Sequence, residues 1–298
     1  MPEGHSIHRL AHQFGSVFSG QPLRASSPQG RFADGARLLD GHVLLGASAH
    51  GKQLFLHFDH DLHLRVHLGL YGAWEFGGDE TFAGASSIGA PRRVGEQESG
   101  SVRGGGYNGP PAPVGAVRVR LESEHGWADL RGASACEVLT AEQMAAVTAR
   151  LGPDPLHADD GAGAAEFARR LGAKSAAVGQ LLMNQEVIAG VGNVYRAEVL
   201  FLRGLDPRAP GRSVPEAEAL ALWRTVRSCM SDGVHQGRIV TTEPADRGNP
   251  DGPASREDAH YVYKRTGLPC RRCGTPVAQA EMAARKLYWC PGCQGGSA

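Results

Sequence analysis

The chain has 298 residues, and its 31 Lys and Arg balance its 31 Asp and Glu, so the formal net charge is zero. The length predicts two domains. No apolar run reaches the ~18 residues of a membrane span, the opening MPEGHSIHRL lacks the apolar core of a secretory leader, and six cysteines are too few for a secreted disulfide scaffold, which leaves a cytoplasmic two-domain protein, expected to be a monomer, whose balanced charge argues weakly against a nucleic-acid partner.

Residues 5–14 predict a helix, with Ile7, Leu10 and Phe14 at helical spacing. Residues 43–45, 53–59 and 62–68 read as strands by partial alternation, and 116–122 (AVRVRLE) alternates clearly. Between them, 84–115 holds nine glycines and four prolines. Such a segment buries too little apolar surface to offset its ordering entropy, so a disordered insertion is expected. Thr140 offers an N-cap for a helix over 141–151, and helical signals recur at 162–171, 176–185, 193–203 and 215–235. Residues 241–260 read as loop. The expected organisation is a β-rich domain over 1–135, a helical domain over 136–260 and a cysteine-bearing segment over 261–298.

Cys270-x2-Cys273 and Cys290-x2-Cys293 stand 16 residues apart. Each pair puts two thiolates on one turn, and the two turns complete a closed tetrahedral site for one structural Zn2+. Cys136 and Cys229 stand alone and read as small buried hydrophobes. From 261 to 298 six cations face one acid, so residues 1–260 carry 25 cations against 30 acids. The balanced total hides a basic segment suited to phosphate contact.

Pro2 follows Met1 directly. Removal of Met1 would leave a secondary amine able to attack an aldehyde-level carbon, with Glu3 beside it as acid or base; on composition alone, a frayed terminus competes with this reading. Residues 189–195 (AGVGNVY) form a glycine turn ahead of a helix start at Asn193, where backbone N–H groups can hold a phosphate. A plain helical hairpin uses the same residues.

These features coincide in one family. The chain resembles the formamidopyrimidine-DNA glycosylase / endonuclease VIII family of base-excision repair enzymes, and is most similar to its endonuclease VIII branch. The resemblance rests on MPEGH at 1–5, GKQLF at 51–55, HLGLYG at 67–72, LLMNQEVIAGVGNVYRAEVLF at 181–201, VYKRTGLPCRRC at 262–273 and ARKLYWCPGCQ at 284–294. It implies an α+β multidomain fold. An N-terminal β-sandwich is flanked by helices, a helix–two-turn–helix lies near 180–203, a zinc-finger hairpin with four cysteine ligands follows, and damaged DNA lies between the domains. It also implies roles: Pro2 as nucleophile at C1′, Glu3 as acid/base, Lys52 as a phosphate-binding catalytic lysine, Asn193 and Arg285 as a pinch on the phosphates of the flipped nucleotide, and His67 and Tyr263 as further backbone contacts. Leu70 and Tyr71 take the intercalating-loop positions, where a turn packed on Trp74 is the alternative.

Two positions depart from the branch. Gly69 stands where a polar wedge residue is usual, and His5 replaces an Asp; His5 reads as an exposed histidine at a helix start. The implied activity is a bifunctional glycosylase and abasic-site lyase for oxidised pyrimidines. The alternatives are a formamidopyrimidine/8-oxoguanine enzyme and a damaged-DNA-binding protein that does not cut.

Overall fold

The computed structural model describes residues 2–90, 109–157 and 161–295. Positions 91–108 of the expected insertion therefore lie outside the described residues. The chain separates into two compact units, Met1–Ala149 and Arg150–Ala298.

The first unit opens with helix α1 (Gly4–Phe18), longer than its sequence signal because Phe18 continues the stripe of Ile7, Leu10, Ala11 and Phe14, all buried. It continues through β1 (Arg24–Ser26), α2 (Ala33–Leu39), β2 (Leu44–His50), β3 (Gln53–Phe58), β4 (Leu62–His67), β5 (Ala73–Gly78), β6 (Ser87–Gly89), β7 (Val117–Glu122), β8 (Gly126–Arg131), β9 (Ala135–Leu139) and α3 (Ala141–Thr148). The strands form two antiparallel sheets, ordered β1-β7-β8-β5-β6 and β2-β3-β4-β9. Alternate residues of both sheets, among them Leu54, Leu56, Leu64, Val66, Trp74, Phe76, Val119, Leu121 and Leu130, share one core with α1. Phe14 meets Trp74 edge-on at 4.8 Å between ring centroids. This is the expected sandwich with flanking helices.

Strand β6 lies inside the segment read as disordered. Composition misled there because one apolar residue, Ile88, is buried opposite Trp74. A Cβ on Gly89 would stand 2.5 Å from the Cα of Ala73, so this glycine permits close strand pairing.

The second unit contains α4 (Ala162–Gly172), α5 (Val178–Leu181), α6 (Asn193–Leu202), α7 (Glu216–Gln236), the hairpin β10 (Ala278–Met282) and β11 (Arg285–Trp289), and the short α8 (Pro291–Gln294). Helices α4 to α7 pack Phe167, Leu171, Leu181, Tyr195, Val199, Leu222, Trp223 and Val226 into one core. Residues 241–260 hold only a 3-10 turn at Pro244–Asp246.

The helix expected over 176–185 stops at Leu181. Beyond it the chain turns: Asn184 Oδ1 accepts from the Glu186 N–H at 2.9 Å, a side-chain bond that competes with helix continuation. Gln185 then braces the turn. Its Oε1 accepts from the Gly190 N–H (3.0 Å) and its Nε2 donates to the Val191 carbonyl (3.0 Å). Gly190 sits at φ +90°, a conformation open to glycine. The result delivers the chain to the start of α6.

Candidate functional site

Pro2 is buried, and Glu3 is fully buried at the N-cap of α1. The Glu3 carbonyl accepts the first turn's bond from Ser6 N–H at 3.0 Å, but its carboxylate does not cap the helix it opens. The terminus is therefore packed, with Pro2 and the Glu3 carboxylate at the positive end of the 15-residue helix dipole. His5 is also buried, not exposed as its position suggested. Burial, then the nearby Arg9 charge, pushes its pKa down to about 3.

Lys52 occupies the two-residue turn between β2 and β3, half-buried, after Gly51 at φ +58°. Its neighbour Gln53 pairs with His67 at the end of β4, so Lys52 and His67 come together at one end of the four-stranded sheet. Ser134 fixes the His67 ring. The Ser134 hydroxyl donates to the His67 carbonyl at 3.0 Å, and its oxygen lies 2.6 Å from His67 Nδ1. With the hydroxyl proton spent, Nδ1–H is the donor and Nε2 is left with its lone pair. Burial, then the charges of Lys52 and Arg65, hold His67 below the usual histidine range.

Leu70 and Tyr71 cap the turn after β4, 40% and 77% exposed. Trp74 is fully buried against Phe14 and Phe76, so its packing does not depend on covering this turn. Gly69 takes φ +66°, and a Cβ on Gly72 would stand 2.2 Å from the Leu68 carbonyl oxygen. The glycines hold two large apolar side chains out in water.

In the second unit, Gly192 is the N-cap of α6 and Asn193 the first helical residue. Asn193 Nδ2 donates to the Lys286 carbonyl at 3.0 Å. Arg196, fully buried, donates to the Asn193 amide oxygen, to the Lys286 carbonyl (3.1 Å) and to the Met282 carbonyl (3.1 Å). Asn193 and Arg285, the first residue of β11, are thus brought together through the hairpin backbone. Tyr263 is held differently. The carboxylate of buried Glu198 accepts the N–H groups of Tyr261 (2.7 Å), Val262 (2.9 Å) and Tyr263 (2.8 Å), and the Tyr263 ring stands edge-on to Tyr288 at 5.3 Å. Arg196, Glu198 and Gln185 escaped the sequence reading. For Arg196 and Glu198 the signal was two charges within a helix whose residues Asn193–Phe201 are all buried.

The Sγ atoms of Cys270, Cys273, Cys290 and Cys293 lie within 4.8 Å of one another, with Cys270–Cys293 at 3.8 Å and Cys273–Cys290 at 3.4 Å. Zn–S bonds of about 2.3 Å in a tetrahedron give edges near 3.8 Å, so the four thiolates fit one structural zinc, closed to water and substrate. Cys136 and Cys229 are packed in the two cores, and burial pushes both thiols up to about 12.

Comparison with known proteins follows these divisions. Residues 1–132, 151–244 and 267–295 match family models described as the formamidopyrimidine-DNA glycosylase N-terminal domain, the formamidopyrimidine-DNA glycosylase H2TH domain, and the zinc finger found in FPG and IleRS. Endonuclease 8 1 of Mycobacterium tuberculosis is 41% identical over 295 residues, covering 99% of this chain and 100% of that protein. The crystal structure of MutM (FPG) from Thermus thermophilus superposes with a TM-score of 0.71 at 26% identity, covering 100% of both chains. Lactococcus lactis Fpg in complex with abasic-site DNA superposes with a TM-score of 0.72 at 18% identity, over 99% of this chain and 100% of that one, and so shares the fold.

Proposed function

Because the chain belongs to the formamidopyrimidine-DNA glycosylase / endonuclease VIII family, on its endonuclease VIII branch, and is a DNA-repair glycosylase with abasic-site lyase activity, we propose that it removes oxidised pyrimidines through an iminium on Pro2. The observation that carries this reading is the packed N-terminus: a proline amine one residue from a fully buried carboxylate that does not cap its own helix.

The steps follow from the chemistry of a secondary amine. Once Met1 is removed, the Pro2 nitrogen attacks C1′ of the extruded nucleotide and the base departs with the bonding pair. The Pro2 N–H proton passes to the Glu3 carboxylate, which delivers it to O4′ as the sugar ring opens, and the nitrogen becomes an iminium. That nitrogen has no N–H left to lose, so it stays cationic and draws electrons from C2′. Loss of the C2′ proton expels the 3′ phosphate, and loss of the C4′ proton then expels the 5′ phosphate. Water cleaves the iminium and frees Pro2.

The other residues serve binding. Lys52, Asn193, Arg285 and Tyr263 hold phosphates, and His67 joins them when Nε2 takes up a proton. Leu70 and Tyr71 fill the gap left by the flipped base, so the apolar surface they expose is covered when DNA is bound. The pyrimidine preference draws support from the endonuclease 8 relative matched along the full chain.

Borohydride trapping on abasic DNA tests the nucleophile. A chain with one extra residue ahead of Pro2 should still bind the DNA but give no trapped adduct; an undiminished adduct refutes the assignment. Incision of thymine glycol, dihydrouracil and 8-oxoguanine duplexes tests the substrate, and dominant release of 8-oxoguanine opposite cytosine overturns the pyrimidine reading.

A further inference from the structure

A second set of ligating side chains lies in the first unit, at the other end of the sheet from Lys52. Asp59 and His60 belong to the three-residue turn between β3 and β4, and His42 precedes β2. The Nδ1 of His42 stands 2.5 Å from Asp59 Oδ1, and the Nδ1 of His60 stands 3.3 Å from the same oxygen. All three donor atoms fall within 4.8 Å of one another. The two rings meet edge-to-face at 5.1 Å.

The backbone holds this arrangement independently of the side chains. The Asp59 N–H donates to the Val43 carbonyl at 3.0 Å, which ties the turn to the residue after His42. His60 and Asp61 both adopt left-handed φ values of 55° and 59°. The His60 side chain is 74% exposed, and those of His42 and Asp59 are 30% exposed, so solvent reaches the cluster from one side.

We infer that His42 Nδ1, Asp59 Oδ1 and His60 Nδ1 form a site for a divalent transition-metal ion of the zinc class, with water completing its coordination. Two imidazoles and one carboxylate select such an ion over Mg2+ or Ca2+, which prefer all-oxygen shells. The 3.3 Å edge between His60 and Asp59 is that of a tetrahedron with bonds of about 2.0–2.1 Å. The shorter His42–Asp59 edge opens when the ion replaces the proton between them, and in the neutral ring that proton moves to Nε2. Strand β3 has six residues, and at about 3.3 Å each they place the ion roughly 20 Å from Lys52. The ion would therefore act as a clamp between the entrance to β2 and the β3–β4 turn, apart from the reaction.

The test uses the full chain with its finger zinc in place. The protein is equilibrated with micromolar Zn2+ and gel-filtered, and zinc per chain is measured by atomic emission. Two zinc ions per chain are expected for the parent, and one for His42→Ala and for His60→Asn, in which Asn keeps the left-handed backbone. Asp59→Asn should weaken the second site about tenfold or more. Borohydride trapping should be unchanged in all three. A parent chain that holds one zinc overturns the inference. So does a second zinc that survives His60→Asn but is lost in His57→Ala, since the Nδ1 atoms of His57 and His63 lie 2.9 Å apart nearby and would then be the ligands.

Discussion

The buried carboxylate of Glu198 sets the position of Tyr263, and replacing Glu198 with Gln isolates that role without changing side-chain volume. Oε1 accepts two backbone N–H groups, of Val262 and Tyr263, while Oε2 accepts the Tyr261 N–H and the Thr241 hydroxyl. The glutamine NH2 fits best on the Oε2 side. Thr241 can turn its proton to the Ala259 carbonyl, 3.3 Å away, and accept from the new amide. Tyr261 N–H has no such freedom and is left facing a donor, at a cost of about 1–3 kcal/mol. The two bonds at Oε1 change from charge-assisted to neutral, each losing about 1 kcal/mol. The sum is about 3–5 kcal/mol. For a unit of about 150 residues this lowers the midpoint of thermal unfolding by about 6–20 °C. Scanning calorimetry of the zinc-loaded chain reads the shift, and amide exchange at 261–263 shows whether the loop has loosened. A midpoint within about 2 °C of the parent's, together with parental exchange at those amides, would falsify the anchoring role.

His5 gives a pH signature. Its folded pKa of about 3 lies below the unfolded value, so the unfolded chain takes up the proton first; stability is full above about pH 6.5 and falls by up to ~1.4 kcal/mol per unit on acidification towards pH 3. Urea midpoints measured against pH should show this slope flattened in His5→Gln, and an equal slope in both chains counts against a neutral buried ring. At the finger hairpin, Ala283 and Ala284 both sit at left-handed φ, 54° and 53°, so Gly at either position should stabilise the hairpin by about 1 kcal/mol, read as slower amide exchange in β10 and β11. For DNA, log K against log salt should fall with a slope of about −2 to −4, shallower by about 0.9 in Lys286→Ala but not in Arg271→Ala; equal changes in the two variants would mean that the finger's cations act as one undifferentiated patch.

The elements legible in the sequence are those whose own residues pack: the apolar stripe of α1, the alternation of β7 and the paired cysteines. Strands β5 and β8 were illegible because partner strands supply the reason for their composition. Gly77 and Gly78 look like turn residues, yet a Cβ on Gly77 would stand 2.8 Å from the Trp127 ring, and one on Gly78 would stand 2.3 Å from the His125 carbonyl oxygen. They are glycines because a neighbour fills the space, which local propensity does not register. The finger hairpin was expected only through the family resemblance and not from local turn signals, since its Ala283-Ala284 turn carries no glycine or asparagine. The candidate site divides similarly. Residues proposed to touch DNA were found through motif, whereas Arg196, Glu198 and Ser134, which hold them, act through backbone groups far along the chain, and Gln185 acts on the turn just after it. His5 was misjudged because a polar residue at a helix start is usually solvated, while here the first turn is buried with the terminus.

The balanced charge of the chain shows how a total can mislead. Ion pairs remove charges two at a time: Arg120 lies on Asp129 at 2.7 Å, Arg203 on Glu218 at 2.8 Å, and Arg131 on Glu75. Such pairs leave the net count untouched and contribute little field at a distance. The same filter applies inside the basic finger. Arg271 pairs with Asp258 at 3.0 Å, Arg265 donates to the carbonyls of Tyr261 and Pro269, and Arg272 stacks over Tyr261 at 4.8 Å. These three cations fasten the finger to the loop and helix beside it. The remaining basic side chains are Lys264 and Lys286, both exposed, and Arg285, half-buried where β11 begins. Each is adjacent in sequence to, or identical with, a residue proposed to meet phosphate, Tyr263 or Arg285. The sequence count picked out the segment and overstated how many of its cations are available for contact. Only Arg271 is neutralised by an acid; Arg265 and Arg272 keep their charge and add to the field, but being held in place they leave direct phosphate contact to Lys264, Arg285 and Lys286.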